Sequence, residues 1–167
     1  MVLTEPDEVP DECGTHRWIA SSPRVRDSPR NGQTSLSRIP AMKVEHFALN
    51  VPDPRAMSRW YVEHVGFKVV RSRDDPPYTR FLADDTGRVV VELYANPSAA
   101  IPDYGAQHPL VFHLAVVATD AKAARARLEK AGAGVFLEEP QPDGSLLIMM
   151  RDPWGVPLQL CQRAKPF

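Results

Sequence analysis

One pair of residues in this chain recurs at a fixed offset, and that duplication limits the possible folds more than any other feature. His46 and Glu92 return 67 positions later as His113 and Gln159, so both pairs keep the same internal spacing. The settings match as well. His46 lies in V-E-H-F-A-L-N-V and His113 in V-F-H-L-A-V-V, both alternating apolar runs followed by an aspartate, Asp53 or Asp120. Glu92 lies in V-V-V-E-L-Y and Gln159 in V-P-L-Q-L-C. Such a repeat implies two copies of one supersecondary unit, neither of which can bury its apolar sheet face alone. Two imidazoles, a carboxylate and an amide at equivalent strand positions read as a divided metal site.

The flanking residues spell out the unit. Val44–Val51 alternates as a strand, and Asp53-Pro54 then opens a helix with a capping carboxylate and a proline in the first turn. Met57, Trp60, Tyr61, His64 and Val65 follow at helical spacing, and Gly66 stops the run. Phe67–Arg73, Thr79–Ala83 and Val89–Tyr94 read as three more strands. The second half repeats the order. Val111–Val117 is a strand, Asp120 caps a helix with Ala121, Ala124, Leu128 and Ala131 on one face, and Val135–Glu138, Ser145–Arg151 and Pro157–Cys161 are strands. The expected fold is α+β: tandem βαβββ modules forming a cupped mixed sheet with helices on the outer face. Module one spans 43–95, a linker 96–109 and module two 110–163, all within a single domain at 42–167.

Residues 1–41 differ from the rest, with five prolines, many Ser and Arg, and no sustained apolar period. They are expected to be a disordered leader, because they cannot bury enough surface to offset their ordering entropy. Met42, just before the first strand, is an alternative start. A net charge of −1 gives no long-range attraction to nucleic acid or an anionic membrane. No apolar run approaches the roughly 20 residues of a membrane span, and no secretory signal pattern opens the chain. Two cysteines, Cys13 and Cys161, make no disulfide framework and fit a cytoplasmic setting.

Strand parity assigns the faces. Phe47, Leu49 and Val51 share one face and should pack under the helix, which leaves His46, Ala48 and Asn50 on the other. Phe112, Leu114 and Val116 oppose His113, Ala115 and Val117 in the same way. Ala48 and Ala115 keep the histidine face roomy. A lone strand histidine is usually a hydrogen-bonded core or surface residue, and a lone strand glutamate is usually solvated. Only the doubled placement favours ligands, since a shared cation would offset the cost of half-burying a carboxylate among apolar neighbours.

At these residues the chain resembles the vicinal oxygen chelate superfamily, which includes glyoxalase I, methylmalonyl-CoA epimerase, fosfomycin-resistance transferases, extradiol dioxygenases and bleomycin-binding proteins. The resemblance covers about residues 43–163. It is most specific at the closing M-M-R-D-P-W-G-V-P-L-Q-L, which is similar to the family ending D-P-x-G-x-x-x-E-L. It implies one divalent ion (Zn, Ni, Fe, Mn or Co) held by His46, Glu92, His113 and Gln159. The departure is Gln159, where the family pattern has Glu. An amide can coordinate but brings no charge and accepts no proton at neutral pH. The resemblance then leaves Glu92 as the catalytic proton carrier.

The implied activity is a glyoxalase-like lyase or isomerase. It would take a proton from a small oxygen-chelating substrate and stabilise the enolate on the metal. The alternatives are a metal-free drug- or metabolite-binding protein of bleomycin-resistance type and an extradiol-like dioxygenase. Against the dioxygenase, the carboxylate comes from module one rather than from the closing strand. Trp60, Tyr94, Met149 and Cys161 are candidate apolar walls, alongside Tyr78 and Trp154, and all compete with plain core roles. Arg71, and less specifically Arg73, Arg80 and Arg151, are candidates for an acidic substrate group. His64 and His108 read as a helix-end residue and an exposed loop residue. The expected partner is a second copy, as a homodimer; the Ala95–His108 linker is long enough for a site within one chain or across two, and a cup inside each chain is the favoured arrangement.

Overall fold

The computed structural model describes residues 41–167. The leader expected at 1–41 lies, except for Ala41, outside the described residues. Module one runs β1 (Phe47–Asn50), α1 (Pro54–Trp60), β2 (Lys68–Ser72), β3 (Arg80–Ala83) and β4 (Val89–Tyr94). Module two runs β5 (Leu114–Val117), α2 (Ala121–Lys130), β6 (Gly134–Pro140), β7 (Leu146–Arg151) and β8 (Pro157–Gln162). Each module forms a four-stranded sheet, ordered β1-β4-β3-β2 and β5-β8-β7-β6. In both, the first and last strands pair in parallel while the other pairs are antiparallel. The fold is therefore α+β, with βαβββ written twice.

The helices begin where their caps dictate. Asp53 accepts from the backbone N–H of Arg55 and Ala56 at 3.0 and 2.9 Å, and Asp120 accepts from Ala123 at 2.9 Å. Helix α1 does not stop at Trp60 but widens into one π-helical turn, Tyr61–Val65. Gly66 closes that turn in the left-handed region, at φ 92°, with its N–H on the Tyr61 carbonyl.

Alternation along the strands places the core. Leu49, Val51, Leu82, Val91 and Leu93 of one sheet, and Ile148, Met150, Leu158 and Leu160 of the other, are buried in one cluster with Met57, Trp60, Tyr61, Ala124 and Leu128. Each such side chain contributes about 1.5–3 kcal/mol on burial. Phe47 departs from the parity expectation and is half exposed. It opens β1, while α1 packs over β3 and β4.

The modules meet through their helix-bearing sides. The Trp60 indole N–H donates to the Ala131 carbonyl at 2.8 Å, and Arg127 Nε donates to the His64 carbonyl at 3.2 Å. The Tyr61 hydroxyl donates to Asp152 Oδ2 at 2.9 Å, fully buried. The other Asp152 oxygen accepts from the backbone N–H of Trp154 and Val156. The segment between the modules is pinned rather than loose. The Tyr104 hydroxyl donates to the Asn50 carbonyl, Asn50 exchanges hydrogen bonds with Asn96 and Ala99, and Arg151 donates to the Tyr104 and Gln107 carbonyls.

Two predictions follow from this packing. Burial outweighs the donors around Asp152 and lifts its carboxyl from the usual range to about 6. The folded protein therefore binds a proton there that the unfolded chain releases. The stabilising contribution is complete below the ordinary carboxylate range and is lost as pH rises through about 6. Asp152→Asn keeps both backbone N–H bonds on Oδ1, and the Tyr61 hydroxyl can turn to accept from the new amide. Denaturant titrations at pH 5 and pH 8 should show that the wild type loses about 1.4 kcal/mol more than the variant between those values; equal losses would refute the assignment. Gly155 sits at φ 84°, and a Cβ there would lie 2.8 Å from the Gly105 nitrogen. Gly155→Ala should cost roughly 2–4 kcal/mol of unfolding free energy, read from the shift in midpoint.

Candidate metal and ligand site

His46 and His113 each stand one residue before a strand, β1 and β5, rather than inside it. Their equivalence survives, because β1 runs parallel to β4 with Ala48 beside Glu92, and β5 runs parallel to β8 with Ala115 beside Gln159. Both pairs lie on the sheet face away from their own helix, since neighbouring positions on the same strands fill the core.

In module one the pair is closed. His46 Nε2 lies 3.0 Å from Glu92 Oε2, with both side chains partly buried. The other ring nitrogen, Nδ1, contacts the Glu45 carboxylate. The Phe81 ring packs edge-on against the imidazole at 5.5 Å and is the register partner of Glu92. A neutral imidazole carries one proton, yet this ring faces a carboxylate on each side. At 3.0 Å the two atoms stand at ordinary hydrogen-bond distance, a spacing that two donors sharing one ion at about 2.1 Å would also have. In module two, His113 Nδ1 lies 3.1 Å from the Pro109 carbonyl. That bond requires the proton on Nδ1 and leaves the Nε2 lone pair free, as a metal-binding histidine needs. Gln159 Oε1 accepts only a long contact from the Cys161 thiol, at 3.4 Å.

The two half-sets do not combine within one chain. Among the described residues, no three His, Cys, Asp or Glu side chains come close enough to hold an ion. Among the described residues, His113 therefore does not join His46 and Glu92 in one such group. The cause is the packing above: the modules abut on the side opposite the donors.

The surrounding residues sort by face. Tyr94 shares the Glu92 face of β4 and is half buried, while Met149 pairs in register with Gln159. Cys161 follows two residues after Gln159 on the same face, and burial pushes its thiol up. Arg71 pairs in register with Phe81, is exposed, and forms no ion pair among the described residues. Arg71 and Tyr94 remain open to a ligand, whereas Met149 and Cys161 are buried. Trp60 is also buried, in α1, hydrogen-bonded to Ala131 and edge-on to Tyr61 and Trp154. It joins the modules instead of lining a cup, and Trp154 shares that role.

Three of the arginines are also committed elsewhere. Arg80 is buried and holds the carbonyls of Arg73, Tyr78 and Thr79 together with Asp74. Arg73 pairs with Asp75, and Arg151 holds the linker. Tyr78 lies under the Arg55 guanidinium. His64 gives its carbonyl to Arg127, and His108 packs edge-on against Phe136. Phe81 and Phe136 escaped the sequence reading. Phe81 was legible in principle, because it alternates with Leu82 and must share the Glu92 face. Phe136 sits at an irregularity in the β6–β7 register that no period reveals.

Solved structures with this architecture include glyoxalase I from Zea mays, at 26% identity and TM-score 0.57 over 72% of this chain. This chain covers only 44% of the maize enzyme's length. An antibiotic-binding protein from Streptomyces sp. CB03234 matches at 23% identity and TM-score 0.57, over 75% of this chain and 99% of its own, which shows the fold alone. A glyoxalase family protein from Enterococcus faecalis matches at 24% identity and TM-score 0.54, over 71% of this chain and 96% of its own, again at the level of fold. No curated protein resembles the chain at a significant level. The family model for the Glyoxalase/Bleomycin resistance protein/Dioxygenase superfamily matches residues 43–160. That span takes in both βαβββ modules except the last two residues of β8, and the chain belongs to this superfamily.

Proposed function

We propose that the chain is a divalent-metal-dependent, glyoxalase-like lyase or isomerase acting on a small molecule with neighbouring oxygen atoms. The observation that carries the reading is His46 set between two carboxylates, with Glu92 at 3.0 Å from Nε2. A divalent ion held by His46, Glu92, His113 and Gln159 would supply Lewis acidity to the substrate oxygens. Nitrogen and oxygen donors without thiolate suit Zn, Ni, Fe, Mn or Co.

The chain's own residues divide the remaining work. Glu92 is the one carboxylate of the set, so it takes the proton from the carbon beside the substrate oxygens and returns it to the neighbouring one. Gln159 cannot accept a proton, so transfer runs from a single side. With one carboxylate against a divalent ion the set keeps a net positive charge, which favours an anionic substrate. Arg71 stands on the same sheet face to pair with a distant acidic group. Tyr94, Met149 and Cys161 supply apolar contact and exclude water. No described helix is long and apolar enough to cross a membrane. The free thiol of Cys161 fits a protein working as a homodimer in the cytoplasm, where reduced thiols form adducts with 2-oxoaldehydes.

Elemental analysis of the purified protein should find about one divalent ion per chain, weakened at least 100-fold in affinity by His46→Ala or His113→Ala. Metal-loaded protein should turn over methylglyoxal–thiol adducts, and Glu92→Gln should lower kcat by about 10²–10⁴. Loaded protein that turns over no such adduct would exclude the glyoxalase assignment. Absence of any stoichiometric ion would instead leave a small-molecule binding cup. A further check is Gln159→Glu, which adds a charged ligand and should tighten metal binding by about tenfold.

A further inference from the structure

We propose that Arg55, Arg59 and Arg80 form a second binding site in module one, for a phosphate group that is either free or carried by a small molecule. The proposal goes beyond the metal-dependent activity and does not depend on it. Arg80 alternates with Phe81 along β3 and so lies on the sheet face opposite Phe81 and Glu92. Val69 of β2 pairs in register with Leu82, a core residue of that same helix-bearing face. Arg55, Ser58 and Arg59 of α1 close the other side, and Asp74 of the β2–β3 loop completes a cleft of about 450 Å³. That volume suits one small ligand.

The charges in the cleft do not balance. Three guanidinium groups face a single carboxylate, which leaves two positive charges over. The acidic residues closest in sequence are engaged elsewhere. Asp53 caps α1, Asp75 pairs with Arg73, and Glu63 reaches His64 Nε2 at 3.8 Å. Arg59 is exposed and forms no ion pair among the described residues. Like charges gathered in a concave site raise its potential and attract a counter-ion.

Arg80 supplies the floor. It is only 8% exposed, with Nη1 on the carbonyls of Arg73, Tyr78 and Thr79 and Nη2 on Asp74 Oδ1 at 2.7 Å. A guanidinium carries five N–H donors, so Nε and one Nη2 hydrogen have no acceptor among the described residues. The same Asp74 oxygen lies 3.9 Å from Arg55 Nη2, on a side chain that is 83% exposed. A well-hydrated carboxylate thus holds the place between two arginines that a ligand oxygen would take. Arg55 is fixed by the Asp74 carbonyl at 2.6 Å and by the Tyr78 ring at 4.7 Å. Stacking on an aromatic face leaves its remaining in-plane N–H groups free for an anion. Forked guanidinium donors match phosphate oxygens, and two unbalanced charges match a phosphate that carries nearly two. A single carboxylate would neutralise only one of them.

Calorimetric titration of the full chain is the test. Inorganic phosphate and glycerol 3-phosphate should each fill one site per chain with Kd on the order of 1 mM or below, and acetate should bind roughly tenfold more weakly. Tighter binding of the ester assigns the site to a phosphorylated metabolite, and tighter binding of inorganic phosphate assigns it to the free ion. Arg59→Gln alters an exposed side chain and should keep the melting temperature while weakening both ligands about tenfold. Asp74→Asn removes the competing charge, keeps an oxygen for Arg80, and should tighten both about threefold. His46→Ala should change neither, because the cleft is on the other face of the sheet. The proposal is overturned if neither wild type nor Asp74→Asn binds phosphate saturably, if Arg59→Gln binds it as well as wild type, or if acetate matches it. Loss of phosphate binding with His46→Ala in place of Arg59→Gln would put the anion at the candidate metal site and overturn it equally.

Discussion

The buried bond between Tyr61 and Asp152 decides which way the two modules face. A carboxylate withdrawn from water costs several kcal/mol unless it is well supplied with donors. Here one oxygen takes two backbone N–H groups from its own turn, and the other takes a hydroxyl from the opposite module. Only the last of these crosses between the repeats. It fastens the π-helical turn after α1 to the loop between β7 and β8, next to the Trp60–Ala131 bond. Once that side is closed, the sheet faces that carry the duplicated donors must look away from the shared core. The position of the candidate chemistry follows from a contact that contains none of it.

The donor sets themselves are unequal in charge. Module one pairs an imidazole with a carboxylate and adds a second carboxylate, Glu45, behind the ring. Module two pairs an imidazole held by a backbone carbonyl with a neutral amide. The carbonyl on His113 fixes its tautomer with the proton on Nδ1. The repeat has thus kept its geometry and divided its electrostatics. One half carries a carboxylate, and the other carries a neutral amide in its place.

The fold was largely legible because its signals are local. Capping aspartates, a proline in the first turn, Gly66 at the helix end and strict apolar alternation each act within a few residues, and the strands and helices fall where those cues place them. The histidine positions shifted slightly, from within the strands to just before them, because ladder bonds form only from Phe47 and Leu114 onward. What sequence parity missed was long-range. It could place Trp60 on a helix face, but not distinguish a cup wall from a joint between modules, since both require a large aromatic at that spacing. It could mark Arg80 and Arg151 as cations near strand ends, but not show that backbone carbonyls already occupy them. The internal repeat showed that two half-sets exist and remained silent on whether they meet within one chain, because that depends on which faces of the modules pack together.

The amide at Gln159 makes this arrangement asymmetric in a way that matters for substrate orientation. With carboxylates at both closing strands, either side of the bound molecule could exchange a proton. With one, under the proposed function the reactive carbon would lie toward Glu92, and the group that does not react toward Gln159. The wall beside Gln159 is apolar, and burial raises the Cys161 thiol away from ionisation, so it offers packing rather than chemistry. Arg71 stands on the Glu92 side, one strand beyond Phe81 in the same register. A substrate gripped by its neighbouring oxygens would therefore direct any acidic group across module one and its apolar portion across module two. Substrate polarity would then be read along the same axis that separates the charged half of the repeat from the neutral half.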